Sequence, residues 1–230
     1  MSAANNNLLD LLPSRERSRF LARCEPVQLV MSEVLCEPGA LTRRVFFPTD
    51  GFISLITSID NKPVLEVGMV GSEGMLGAQL ATGVRTSPLH ALVQGSGNCW
   101  QLSVADFRQA LETSAPLRSL VNRYLYVLMA QFATAAGCLR FHTITRRLAR
   151  WMLMTQDRAH KDTFHVTHEF LSFMLGVRRE GVTASAGELH SAGLIRYSRG
   201  EVVVLDRVGL EGAACSCYEV DRHSYDELLK

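Results

Sequence analysis

Residues 167–206 read THEFLSFMLGVRREGVTASAGELHSAGLIRYSRGEVVVLD. Thr167 stands in front of an apolar-periodic segment as an N-cap, and Glu169 falls in the first turn, where the helix dipole favours an acid. Gly176 ends that segment, and a second helix opens near Arg178, Arg179 and Glu180 with Val182, Ala186 and Leu189 on one face. Gly193 stops it, and the following IRYSRGEVVVLD reads as a hairpin turning at Arg199-Gly200. This is the order of a helix-turn-helix with a β wing, whose second helix brings its N-terminal residues to base edges in the major groove. Arg can bridge two acceptors on a guanine and Glu can accept from the cytosine amine. Arg178, Arg179, Glu180, Thr183 and Ala184 lie at that expected surface, while Thr167, His168, Ser198 and Arg199 suit phosphate contacts, which position rather than specify. Singly, each residue also has an ordinary reading: an Arg-Glu start is common surface charge, and Thr167 would cap a helix in any protein.

The charge distribution favours the same segment. The chain of 230 residues is 47% hydrophobic and 20% charged, with a net charge of +1. From residue 1 to 137, 11 basic and 11 acidic residues balance, whereas residues 138–200 hold 10 basic against 5 acidic. A local cationic surface attracts polyanions even on a nearly neutral protein. The start, MSAANNNLLDLLP, lacks the basic-then-apolar pattern of a signal peptide, and no apolar run reaches membrane-spanning length. Six scattered cysteines show no disulfide framework, so a reduced, cytoplasmic protein with no membrane partner is expected.

Upstream, a short helix is expected at about 6–23. Between 27 and 104 the texture is β-like: VQLVM, ALTRRVFF, GFISLITSI, PVLEVGMV, LHALVQG and NCWQLS are separated by turn-forming EPG, PTDG, DNKP, GSEG, ATG and QGSG. Many short strands at this spacing predict a closed or sandwiched antiparallel sheet, with a hairpin around Asp60-Asn61-Lys62. Ser103 is the expected N-cap of VADFRQALET, and Ser114 that of a helix over about 115–136, followed by a break or bend at Gly137 and a helix over 138–156. The 115–136 helix has a wide apolar stripe, including Leu117, Val121, Tyr124 and Leu128. Such a stripe needs two neighbours. The β domain is one; the same helix of a second subunit is the other, and packing within the chain would use the same residues.

Taken together, nearly the whole chain resembles the winged-helix regulators related to the cyclic-AMP receptor protein and the fumarate-nitrate reductase regulator (the Crp/Fnr family). The most specific part is LGVRREGVTASAGELHSAGLIRYSRGEVVVLD. The resemblance implies an α+β fold: an N-terminal double-stranded β-helix (a cyclic-nucleotide-binding-like β-roll, 1–113), a dimerisation helix (114–137) and a winged helix-turn-helix domain (138–230). By position, Arg179 and Glu180 match the family's base-reading Arg and Glu, and Arg178 precedes them. Ala184 stands where a second base-contacting Arg is common, which implies a related but altered operator. The stretch GMVGSEGMLGAQLATGVRTSPLHA matches the family's nucleotide loop in outline. It implies Glu73 at the ribose position and Arg85 with Thr86 at the cyclic phosphate, a cyclic nucleotide being the implied ligand. Ser72 separates Gly71 from Glu73, and Pro88 intrudes, so a pocket that binds no nucleotide is the alternative.

The implied function is an effector-controlled, homodimeric transcription regulator acting on a palindromic double-stranded site, with RNA polymerase as a further implied partner. A ligand-independent regulator, or a protein-binding module with a degenerate sensor, is the other reading. An enzyme is not indicated: His142, His160, His165 and His168 have no paired acid, nucleophile elbow or complete metal set beside them. Cys24 and Cys36 do not form the tight group of an iron–sulfur sensor, and haem ligation by a residue such as His90 has no supporting pattern. Cys215-Ser-Cys217 with nearby His223 lacks a fourth ligand, so no metal site is assigned.

Overall fold

A computed structural model describes residues 5–60 and 64–229. The N-terminal segment forms two short helices, α1 (Asn7–Asp10) and α2 (Ser14–Leu21), rather than one, because Pro13 interrupts the ladder between them. Asn6 caps α1 by accepting from the Leu9 amide at 3.0 Å. Its own amide group donates to the carbonyls of Pro48 (2.8 Å) and Gly74 (2.9 Å), pinning the segment to the β domain.

Seven strands follow: β1 (Glu25–Leu29), β2 (Val34–Cys36), β3 (Arg44–Pro48), β4 (Phe52–Thr57), β5 (Leu65–Val70), β6 (His90–Gly95) and β7 (Gly97–Ser103). They pair antiparallel in a sheet of order β1-β7-β3 and a second of order β2-β6-β4-β5. The six expected β runs all yield strands; β2 is an addition. The β4–β5 hairpin forms with Thr57 opposite Leu65, and its expected turn residues Asn61 and Lys62 lie outside the described residues. Val45, Phe47, Ile53, Val70, Ala91 and Val93 fill the space between the sheets.

Ser103 and Ser114 cap as expected, accepting from the amides of Asp106 and Leu117, and start α3 (Val104–Thr113) and α4 (Ala115–Phe141). α4 does not break at Gly137. It continues to Phe141, because buried Ala135 and Cys138 hold its last turns against neighbours, and a mid-helix Gly costs only about 0.5–1 kcal/mol. The chain instead turns at His142-Thr143, both extended, before α5 (Ile144–Ala159).

The remaining chain gives β8 (Thr163–His165), α6 (His168–Leu175), α7 (Arg179–Ser191), β9 (Ile195–Ser198), β10 (Glu201–Val204), α8 (Arg207–Ala213) and α9 (Cys217–Leu228). Strands β8, β10 and β9 form a small sheet in that order. A second core gathers Leu148, Trp151, Met152, Leu171, Val182, Leu189, Ile195, Val202 and Leu210, and Phe52 and Met69 of the β domain belong to it. The two halves are therefore docked through shared apolar packing. No helix of the described residues is long and apolar enough to cross a membrane.

Polar contacts reinforce the docking. Arg158 of α5 pairs with Glu73 at 2.8 Å, and the Trp151 indole donates to Glu66 Oε1 at 2.9 Å. The Glu66 carboxyl also accepts from Ser54, and burial pushes its pKa from 4.5 up to about 7 against those hydrogen bonds. The folded chain therefore holds this proton to about pH 7, whereas an unfolded chain releases it near 4.5. Between those values folding takes up a proton, so the contribution is full below 4.5 and lost as pH rises through 7. Glu66→Gln is expected to flatten the fall of stability between about pH 4.5 and 7 and to leave the variant more stable than wild type at the upper end. Urea denaturation at both pH values measures this.

Candidate nucleic-acid interface

The candidate surface is built from the second helix outward. Gly176 closes α6 in the left-handed region (φ 61), which lets the chain reverse into α7 within a few residues. Val182, Ala186 and Leu189 of α7 are buried against Leu148, Leu171 and neighbouring apolar side chains, so the opposite face must look outward. Arg178, Arg179, Glu180, Thr183 and Ala184 are exposed on that face, at or next to the helix start. Glu188 is tied instead to α5 by a 2.7 Å hydrogen bond from Thr145.

Thr167 caps α6, accepting from the Phe170 amide at 3.1 Å, and lies exposed at the same rim. Across from it, β9 and β10 are joined by a two-residue turn in which Arg199 (φ 51) and Gly200 (φ 82) both adopt positive φ, the geometry that matches strand twist. Ser198 and Arg199 are exposed at the wing tip. His168 occupies a different place from the other three phosphate candidates. Its Nδ1 is 2.9 Å from Thr183 Oγ1, and its ring stacks on Tyr197 at 4.3 Å. Desolvation, and then the Arg179 charge, lower its pKa and favour the neutral ring. His168 thus ties α7 to β9; Tyr197, which no sequence pattern singles out, is the other half of that tie and donates to the Val166 carbonyl at 2.7 Å.

The residues expected to hold a nucleotide do not converge. Glu73 faces Arg158 across the domain contact and also accepts from the Gly71 amide at 3.2 Å. The cavity it lines, about 270 Å³, is walled by Asn7, Asp157, Arg158, Tyr218 and Tyr225 among others, without Arg85. Arg85 is exposed and uses its carbonyl to accept from the Thr42 amide, while Thr86 bridges to Leu41. Behind Gly74, where a β-carbon would collide with the Tyr124 hydroxyl, that α4 side chain fills the space.

The expected dimer residues are also elsewhere than foreseen. Leu117, Val121, Tyr124 and Leu128 are all buried in the chain's own β-domain core, which claims the widest apolar stripe of α4. The outward face carries Asn122, Tyr126, Met129, Ala133, Ala136 and Arg140 at alternating intervals of four and three. Tyr126 and Met129 there are 60% and 67% exposed. The signal for this second seam was its spacing, obscured by the stronger stripe beside it.

Residues 146–213, from α5 through α8, match the family model of the Crp-like helix-turn-helix domain. This part of the chain is a Crp-like helix-turn-helix domain. No curated protein matches the sequence. Among solved structures, a Crp/Fnr-family protein from Eubacterium rectale superposes with a TM-score of 0.69 at 15% identity, covering 90% of this chain and 97% of its own. The c-di-GMP-responsive global regulator CLP of Xanthomonas campestris gives 0.67 at 19% identity, over 84% and 99%. A CRP-family transcriptional regulator from Thermus thermophilus gives 0.66 at 19%, over 82% and 96%. The chain therefore has the Crp/Fnr fold throughout: cyclic-nucleotide-binding-like β domain, long helix and winged helix-turn-helix.

Proposed function

We propose that this chain is a homodimeric, sequence-specific transcription regulator of the Crp/Fnr type. The observation that carries the reading is the exposed set Arg178, Arg179, Glu180 and Thr183 at the start of a helix whose other face is anchored in the domain core. Arg179 and Glu180 are assigned to base edges, and Thr167, Ser198 and Arg199 to phosphates. His168 is assigned to holding helix and wing in register. The proposed units are the β domain (1–113), the long helix from 114, and the DNA-binding domain following the turn at 142–143.

Arg179→Ala and Glu180→Ala should each cost about 1–3 kcal/mol on a preferred duplex and relax sequence preference, since each removes a base contact. Arg199→Ala should weaken binding to all sequences alike and reduce the salt slope by about 1. Fluorescence anisotropy on preferred and scrambled duplexes at several salt concentrations separates the two. Equal binding of the two duplexes by wild type would overturn sequence-specific regulation, and binding of neither would favour a protein-binding module.

Dimerisation is proposed through Asn122, Tyr126, Met129, Ala133 and Ala136, whose spacing is that of a coiled-coil seam, with the alanines allowing close approach. Tyr126→Glu with Met129→Glu should give a folded monomer in sedimentation. Val121→Glu should instead unfold the chain, because it buries a charge in the β-domain core. A dimer that survives the double substitution would place the interface elsewhere.

For effector control, the ion pair that occupies Glu73 and the distance of Arg85 from that cavity favour a β domain that does not hold cyclic nucleotide through this pair. Control is assigned to the domain contact itself. An effector with different affinities for two placements of the DNA-binding domain would shift their populations. A cleft of about 420 Å³ lies at that contact, between Phe52 and Gln94 on one side and Trp151, Phe164 and Phe170 on the other. The buried Thr155 hydroxyl, which has no hydrogen-bond partner among the described residues, lines it. Its size and apolar walls suit a small molecule.

A further inference from the structure

Three cysteines and a histidine from two distant parts of the chain meet where the long helix ends. Cys138 lies in the last turn of α4, and His142 is the residue that closes that helix. Cys215 and Cys217 flank the entry to α9. The Cys138 and Cys215 sulfurs are 3.5 Å apart, the Cys217 sulfur is 3.5 Å from His142 Nδ1, and all four donor atoms lie within 4.8 Å of one another. The three thiols are buried and form a cluster of their own, separate from both hydrophobic cores.

Packing alone does not account for this arrangement. A buried cysteine that serves as a small apolar side chain sits among leucines and valines, as Cys99 does in the β domain. Here sulfur meets sulfur and imidazole. A Cys138–Cys215 disulfide would use two of the four groups and leave Cys217 against His142 without a purpose.

The spacing fits a tetrahedron. Bonds of about 2.3 Å to sulfur and about 2.0–2.1 Å to nitrogen give tetrahedral edges of roughly 3.5–3.8 Å. The Cys138–Cys215 and Cys217–His142 separations, 3.5 Å, fall at that length, and the other donor pairs lie within 4.8 Å, close enough to contract around an ion. Four donors this close enclose a single ion rather than an iron–sulfur cluster, which needs its ligands spread over several metal atoms. Thiolate-rich donors select zinc over the hard cations magnesium and calcium.

We propose that Cys138, His142, Cys215 and Cys217 form a tetrahedral Cys3His site for one zinc ion, separate from the DNA interface and from the domain cleft. Three thiolates and a dication leave one negative charge. Arg147 and Arg150 of α5 border the same cavity as Cys138; Arg150 pairs with Asp221 of α9 at 2.5 Å, and the second guanidinium leaves the positive charge that balances the site. The Arg150 Nε is buried without a partner among the described residues and is a donor available to a metal-bound thiolate.

The zinc would fasten α9 to the end of α4 directly at the turn that separates the long helix from the DNA-binding domain. α9 continues from there to the β-domain core, where Tyr225, Leu228 and Leu229 pack. The site is thus one end of a strap across the joint. His223, the histidine nearest to this cysteine pair in sequence, is not part of it: its side chain is 70% exposed and pairs with Glu227.

Anaerobic titration of the reduced, metal-free full chain with cobalt(II) tests the site. The expected result is the visible bands of tetrahedral cobalt together with a thiolate charge-transfer band, saturating at a single equivalent and removed by zinc. Cys215→Ser should lower the charge-transfer intensity by about a third or weaken metal affinity at least tenfold, and Cys36→Ser should change nothing. Cys217→His, which exchanges one ligand for another, should keep a single equivalent with shifted bands, so the site remains testable if the serine variant does not fold. The proposal is overturned by a reduced wild-type chain without a charge-transfer band. It is also overturned by a spectrum unchanged in Cys217→His, or by a native Cys138–Cys215 disulfide whose reduction yields no cobalt binding.

Discussion

Helix α4 has to satisfy two surfaces at once, and the rest of the molecule is arranged around that demand. Its apolar stripe, Leu117, Leu120, Val121, Tyr124, Val127 and Leu128, closes the β domain from one side. Burying side chains of this size is worth about 1.5–3 kcal/mol each, so this face is not free to do anything else. The opposite seam of Tyr126, Met129, Ala133 and Ala136 is what remains for a second copy. At its C-terminal end the same helix carries Cys138 and His142 to the joint with the DNA-binding domain. A helix fixed along the β domain therefore sets where that joint lies and, through the seam, how far apart two reading heads would stand.

The joint is stiffened by contacts of several kinds. Phe52 and Met69 of the β domain are built into the core of the winged helix, Glu73 pairs with Arg158, and Glu66 receives the Trp151 indole. The Gly176 turn leaves room for Leu65 of β5, whose side chain a β-carbon would meet at 2.8 Å. The helix-turn-helix is consequently braced from behind while Arg178, Arg179 and Glu180 face outward. The effector control proposed above would act by loosening or tightening that bracing, where the cleft beside Trp151 and Phe170 and the strap of α9 both lie.

Much of this was legible in the sequence because it is encoded locally. Ser103, Ser114 and Thr167 announce their helices by capping, Gly176 and Gly193 end theirs by adopting positive φ, and Arg199-Gly200 makes the wing turn. What was not legible depends on distant partners. The strand β2, only Val34–Cys36 with a bulge inside it, has no alternation to detect. The break at His142-Thr143 carries no Gly or Pro, whereas Gly137, which does, sits in unbroken helix. Periodicity revealed that α4 has a wide apolar stripe but not that the β domain takes all of it. Glu73 and Arg85 fall in a recognisable loop order, yet the fold turns one toward Arg158 and leaves the other exposed. The cysteine pair at 215 and 217 finds its remaining partners 77 and 75 residues earlier in the chain, a distance no local pattern spans.

In the proposed assembly two copies, joined along the outer seam of α4, present two recognition helices to one face of the duplex. Selection of bound sequences from a random double-stranded DNA pool by the full-length protein tests it most directly. The expected result is enrichment of a two-fold symmetric motif with half-sites about 10–10.5 base pairs apart, one turn of the double helix. Enrichment of a single unrepeated half-site would contradict the paired geometry, and no enrichment at all would contradict sequence reading by α7.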